Sequence, residues 1–256
     1  MTTGIVSVRP STTLHEVQQT LESCDISAVP VIDEAGAIVG IVSTRDLLRE
    51  ARVDLDERNA EFLVSLGAAP QARDVMHQGA FTIDEAAPLA QAANHMLVEN
   101  VHRLVVTRKG APVGILSTRD AMRRVIANQD ATPLRQFMTE KVATIDVGLP
   151  TMEAVRALDT SNLRGLVVVD DGWPVGVFTH TEATRVRQMP RVLRELPVER
   201  VMSYETICLN VKTPAYRVAN YARKLAVRRI LAVENRDLVG IATGIDLLRL
   251  LVARGP

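Results

Sequence analysis

The chain has 256 residues, 47% of them hydrophobic, and its 30 basic and 30 acidic side chains give a formal net charge of zero. That length can bury one large core or two ordinary ones, and the balanced charge argues against nonspecific nucleic-acid binding as a main role. Cys24 and Cys208 make neither a disulfide framework nor a ligand cluster, no apolar run reaches transmembrane length, and the opening MTTGIVSVRP has no signal-peptide pattern, so a cytoplasmic protein with no membrane partner is expected.

In chain order, Ile5, Val6 and Val8 predict a short strand ended by Pro10. Leu14, Val17 and Leu21 then recur at helical spacing behind a Thr13–Glu16 capping box. AVPVI (28–32) reads as a buried strand, DEAG as a turn and IVGIV (38–42) as the next strand, with a helix from near Thr44 carrying Leu47 and Leu48. The turn is too short for a crossover, so the two strands form a hairpin. Residues 51–71, with Phe62, Leu63 and Leu66 at helical intervals, predict a linker helix.

The order strand, helix, strand, strand, helix recurs over 72–127, 134–186 and 198–256, with 187–197 as a second linker. Pro88, Pro150 and Pro214 open the first helix of these copies, where a missing N–H costs nothing. ANQDATP (127–133) separates the halves, 1–127 and 130–256.

Four copies stand in register, marked by Gly40, Gly114, Gly176 and Gly240. Six residues after each glycine comes a carboxylate: Asp46, Asp120, Glu182 and Asp246. Three residues before each carboxylate is a hydroxyl: Ser43, Ser117, Thr179 and Thr243. Met1, Met76, Met138 and Met202 keep nearly the same intervals upstream. One copy leaves an apolar sheet face exposed, so copies pair into pseudo-twofold α+β globules of small mixed sheets packed with helices.

A carboxylate can accept from both cis hydroxyls of a ribose. The hydroxyl one helical turn earlier, with the N–H groups of the helix start, can meet a phosphate. The same residues can equally be N-caps closed by a capping box, and the two readings are compatible. His102 and Arg103 directly precede a strand, as phosphate contacts or as a solvated strand end; Arg45 and Arg119 admit the same two readings. His77 and His180 read as surface or local-capping residues, Trp173 as turn packing or base stacking, and the cysteines as core or half-buried thiols.

The run Gly-apolar-apolar-Ser/Thr-x-x-Asp after an apolar strand and turn resembles the cystathionine beta-synthase (CBS) domain family over nearly the whole chain. Met1-Thr2, Met138-Thr139 and Met202-Ser203 fit that pattern; the second copy departs with His77. The resemblance implies CBS pairs, or Bateman modules, that bind AMP, ADP, ATP or S-adenosylmethionine. Two modules in one chain resemble the gamma subunit of AMP-activated protein kinase, and NVHRLVV (100–106) is especially close to it.

The roles it implies are ribose binding for Asp46, Asp120 and Asp246, with Glu182 in that place in the third copy, and ribose or phosphate contact for Ser43, Ser117, Thr179 and Thr243. Adenine is flanked by residues 5–8, 80–83, 142–145 and 206–209, and phosphate is met by His102 and Arg103, with Arg164, Arg228 and Arg229 in similar places. The longer Glu182 beside His180, and Gly244-Ile245 in place of Thr-Arg, depart from the pattern; the second copy departs least around ribose and phosphate.

No nucleophile–base–acid group, Walker loop or pair of catalytic carboxylates is present. The expectation is a regulatory, non-enzymatic protein with no catalytic cofactor or metal, acting through an unknown protein effector or through self-association. The latter would be a disk of four repeats or a homodimer. Alternatives are a structural scaffold with empty clefts and a nucleic-acid binder using Arg185, Arg187, Arg191 and Arg194.

Overall fold

The computed structural model describes residues 2–3, 6–24, 26–44, 46–47, 52–56, 61–65, 70–161, 163–190 and 194–253. Met1, Ile5, Arg45, Leu48, Leu66 and Arg191 lie outside them. The chain divides into two compact units, residues 1–86 with 104–116 and residues 87–103 with 117–256. This division runs through the second copy and not through 127–133.

The first unit holds β1 (Thr2–Thr3), α1 (Leu14–Ser23), β2 (Ala28–Ile32), β3 (Ile38–Ser43), β4 (Arg52–Asp56) and β5 (Glu61–Ser65). The short helix α2 (Ala72–Val75), β6 (His77–Gln78) and β7 (Thr82–Asp84) follow. α1 forms because Thr13 and Glu16 close a capping box and Leu14, Val17 and Leu21 fall on one buried stripe. They pack with Val8, Val29, Val31, Val42 and Leu47, each fully buried valine or leucine contributing about 1.5–3 kcal/mol. β2, β3 and β6 make one sheet.

Residues 52–56 and 61–65 are an antiparallel hairpin, with Leu55 opposite Phe62, and not the linker helix expected. RVDLD alternates with period two and EFLVS is a short apolar run between polar residues, and over segments so short both patterns compete with the helical one.

After β7 come α3 (Leu89–Val98), β8 (Arg103–Arg108), β9 (Ala111–Ser117) and α4 (Thr118–Ala127). β1, β9, β8 and β7 form a four-stranded sheet. In the second unit, α3 and α4 pack against α7 (Ala215–Lys224) and α8 (Gly244–Val252). Small residues make this close approach possible: Ala92, Ala93, Ala121, Ala219 and Ala222 are all buried. Gly244 belongs to the same contact, since a Cβ there would lie 2.8 Å from Thr118 Oγ1. That explains why the fourth copy has glycine where the second has threonine.

The third copy contributes β10 (Thr144–Asp146), α5 (Thr151–Thr160), β11 (Gly165–Asp170), β12 (Trp173–Thr179) and α6 (His180–Gln188). The fourth adds β13 (Thr206–Asn210), α7, β14 (Arg229–Glu234), β15 (Asp237–Thr243) and α8. Each forms a three-stranded sheet in which the first strand runs parallel to the second and the second and third make a hairpin. Asp171–Gly172 and Asn235–Arg236 have positive φ at both turn positions, as tight hairpins require. Pro88, Pro150 and Pro214 are N-caps, one position before the predicted site and in the place Thr13 holds in the first copy.

Candidate functional site

The methionine and glycine landmarks are contacts between paired copies. A Cβ on Gly40 would lie 2.7 Å from Met76 Sδ, one on Gly176 2.7 Å from Met202 Sδ, and one on Gly240 2.5 Å from Met138 Sδ. Only a glycine admits the thioether there. The residue after each methionine then pairs with the residue after the partner copy's glycine: Thr2 with Ile115, His77 with Ile41, Thr139 with Ile241 and Ser203 with Val177. Copies one and two therefore pair, as do copies three and four, and each lends a strand edge to its partner.

This register carries the residue after the methionine toward the partner's carboxylate. His77 Nε2 lies 3.3 Å from Asp46 Oδ1, and Thr139 Oγ1 lies 3.4 Å from Asp246 Oδ1. His77, read from sequence as a surface or local-capping residue, is exposed and also sits beside a site carboxylate; Thr139 was not singled out as a contact. The signal was present in the Met-x spacing, but it becomes legible only once the copy that supplies the partner is known.

All four carboxylates close capping boxes through one oxygen. Ser43 N and Oγ donate to Asp46 Oδ2 at 2.8 and 2.6 Å, and Ser117 N and Oγ to Asp120 Oδ2 at 2.9 and 2.8 Å. Thr179 N and Oγ1 reach Glu182 Oε2 at 2.9 and 2.5 Å, and Thr243 N and Oγ1 reach Asp246 Oδ2 at 2.8 and 2.9 Å. The box absorbs the extra methylene of Glu182. Asp46, Glu182 and Asp246 are buried, with 3%, 5% and 6% exposure; Asp120 is half-buried.

The second oxygens differ. Asp120 Oδ1 takes a 3.0 Å hydrogen bond from Arg123 Nη1. Asp246 Oδ1 has Thr139 Oγ1 at 3.4 Å and Arg249 Nη1 at 3.4 Å, both beyond ordinary hydrogen-bond length. Burial pushes the Asp120 carboxyl up, but its pKa is brought below the usual range, the Ser117 N–H and hydroxyl being among the groups that lower it.

The hairpins bring the basic residues to the same place. A hairpin closed at its turn leaves its open end where strand start and helix start meet. Thr118 N donates to His102 O at 3.1 Å, and Arg229 stands opposite Thr243 in the ladder. Arg164 Nη1 lies 3.0 Å from His102 Nε2, which accepts from the guanidinium, and Arg164 Nη2 donates to Asn100 O at 2.8 Å. Gly165 stands where the second copy has Arg103, and a Cβ there would lie 3.4 Å from Arg229 Nη2. Basic residues of copies two, three and four thus collect near the helix starts. Arg119 and Arg228 are exposed, Arg103 and Arg229 half-buried.

Other expectations fare differently. Arg187 is paired with Asp159 at 2.6 Å, and Arg194 donates to Met189 O and Arg187 O, so half of the proposed arginine stripe is engaged within the chain. Cys24 is exposed, not core, whereas Cys208 is half-buried. Trp173 is 42% exposed in its turn, and His180 Nε2 meets Leu163 O at 3.1 Å. A shallow cleft of about 250 Å³ is lined by Val142, Thr144, Val169, Gly172, Asp237 and Leu238. It lies at the hairpin-turn end of β15, whereas Thr243 and Asp246 are at the other end. Among the described residues, no group of three or more His, Cys, Asp or Glu could hold a metal ion, and no helix is long and apolar enough to cross a membrane.

Four sheet-and-helix repeats that exchange strand edges in pairs, each with a capped carboxylate at the hairpin's open end, define a tandem CBS protein. The CBS domain family matches residues 1–52, 72–127, 134–188 and 198–253, and the chain belongs to it. MJ1404 of Methanocaldococcus jannaschii is 24% identical over 270 residues, covering 97% of this chain and 60% of its own length, so the chain spans about three-fifths of that relative. A CBS domain-containing protein of Dictyostelium discoideum is 30% identical over 135 residues, 52% of this chain and 92% of its own. The crystal structure of MJ1225 from M. jannaschii, a proposed archaeal homologue of g-AMPK, matches with a TM-score of 0.73 at 18% identity over 98% of this chain and 97% of that one. At that identity the likeness concerns the fold alone.

Proposed function

We propose that the protein is a non-catalytic regulator that binds an adenosine-containing ligand (AMP, ADP, ATP or S-adenosylmethionine) and passes the signal to a protein effector or to a second copy of itself. The observation that carries this reading is Asp246. It is a buried carboxylate with one oxygen committed to its helix cap and the other, among the described residues, within reach only of long contacts. A ribose diol would supply the two short hydrogen bonds that this oxygen lacks, and charge-assisted bonds of this kind are the strong ones. A phosphate on the same ligand would face Thr243, the N-terminus of α8, Arg228 and Arg229. In the second copy Ser117, Arg119 and Asp120 stand with His102 and Arg103; Ser43 with Asp46 and Thr179 with Glu182 hold the equivalent positions in the first and third copies.

Titration calorimetry and thermal shift with adenosine, AMP, ADP, ATP and S-adenosylmethionine test the reading, alongside mass spectrometry of small molecules that copurify. Saturable binding of at least one of these ligands, tighter for the phosphorylated forms, is the expected outcome. No binding by any of them would refute it. A second reading, a scaffold with empty clefts, is favoured by the service of all four hydroxyl–carboxylate pairs as capping boxes, and it is the reading that would then stand.

A further inference from the structure

The four positions after the methionines share one backbone register, so what distinguishes them is the side chain. Three carry a small hydroxyl, Thr2, Thr139 and Ser203, and the fourth carries His77. β3 and β6 fix the His77 backbone opposite Ile41, which keeps the root of the imidazole beside Asp46. Asp46 has one oxygen in the Ser43 capping box and the other 3.3 Å from His77 Nε2. It is 3% exposed, whereas the His77 side chain is 68% exposed. Thr139, in the equivalent place, presents a neutral hydroxyl to Asp246 at 3.4 Å.

The chemistry of the two contacts differs more than their lengths. A threonine hydroxyl beside a carboxylate can yield to a ribose hydroxyl, because one neutral donor replaces another. An imidazole is a larger ring that covers the oxygen, and in its protonated form it holds the carboxylate as an ion pair, a stronger contact that a neutral diol does not match. We propose that His77 is a specificity-determining residue that withholds Asp46 from ribose, so that the first copy does not take adenosine-containing ligands while Asp246 does. This rests on the ribose reading of Asp246.

A reciprocal swap tests it. His77→Thr, Thr139→His and the wild-type protein are titrated with adenosine, which isolates the ribose contact, and with AMP, each variant being checked by its melting curve. His77→Thr is expected to add one adenosine site or to tighten a weak one by about 10-fold, the size of one charge-assisted hydrogen bond. Thr139→His is expected to remove a site while the protein still melts cooperatively. Unchanged or weaker adenosine binding by folded His77→Thr would overturn the inference, and His77→Ser supplies a second variant should His77→Thr fold poorly. If the wild type binds and Asp246→Asn loses a site while the His77 variants change nothing, the His77 inference alone fails. If no protein binds adenosine compounds, both readings fall together.

Discussion

Asp246→Asn separates the two roles that one carboxylate can play. Asp246 Oδ2 accepts from Thr243 N at 2.8 Å and from Thr243 Oγ1 at 2.9 Å. An asparagine keeps one oxygen for those bonds and places an NH2 where Oδ1 now stands. The reciprocal bonds of the capping box should survive, so stability should fall by less than about 1 kcal/mol, since the amide oxygen still accepts from Thr243 N–H and Oγ1. Asp246→Ala, by contrast, leaves the Thr243 N–H without its acceptor and should cost about 1–3 kcal/mol. Binding should respond differently. Either substitution removes the charged acceptor for ribose, a loss of about 1.5–3 kcal/mol, on the order of 10- to 100-fold in affinity at that site. Calorimetric titration with adenosine, read as both affinity and number of sites, is set beside urea denaturation of the same three proteins. If Asp246→Asn binds adenosine like the wild type, with the same number of sites, the carboxylate is a helix cap and the ribose assignment is wrong.

Three further outcomes follow from the contacts. Gly176→Ala should destabilise by about 1–3 kcal/mol and more than Gly240→Ala, because its Cβ would meet the Ser203 carbonyl at 2.9 Å as well as Met202 Sδ, whereas the three nearest atoms to a Cβ on Gly240 all belong to the Met138 side chain, which can turn aside; denaturant midpoints giving the reverse order would contradict this. Arg164→Ala should weaken AMP by about 10-fold or more and leave adenosine nearly unchanged, because a phosphate needs the charge-assisted contact that adenosine does not make; equal losses for the two ligands would exclude a phosphate role. Glu16, through its bonds to Thr13, and Glu85, through Arg108, have pKa values below the ordinary range, as does Asp120. Their folded pKa values are depressed, so their stabilisation is fully present above about pH 4.5, the unfolded range, and is lost as pH falls through the folded values; a urea midpoint that stays level or rises from pH 5 to pH 3 would refute that sign.

The repeat landmarks were legible because they are local: a glycine, a hydroxyl and a carboxylate at fixed offsets keep their spacing whatever they touch. Their partners were not, because the spacing cannot say which neighbouring copy supplies the contact. Gly40 receives its methionine from the following copy, Met76, and Gly240 from the preceding one, Met138. Only the fold orders these, through the strand edges that paired copies exchange. The hairpin at 52–65 was misread because helical and alternating patterns overlap in so short an apolar run. The site poses the deeper difficulty. A helix that starts at the open end of a hairpin needs a hydroxyl and a carboxylate three residues apart for its cap, and a ribose–phosphate site at that helix start needs the same pair. The motif therefore cannot distinguish structure from function, since both demands are met by identical residues. The distinction lies in the second carboxylate oxygen, and its surroundings come largely from the partner copy: an imidazole over Asp46 and a hydroxyl near Asp246. On the proposed ribose reading, functional differences among the four copies lie less in the repeated motif than in the residue after the partner's methionine.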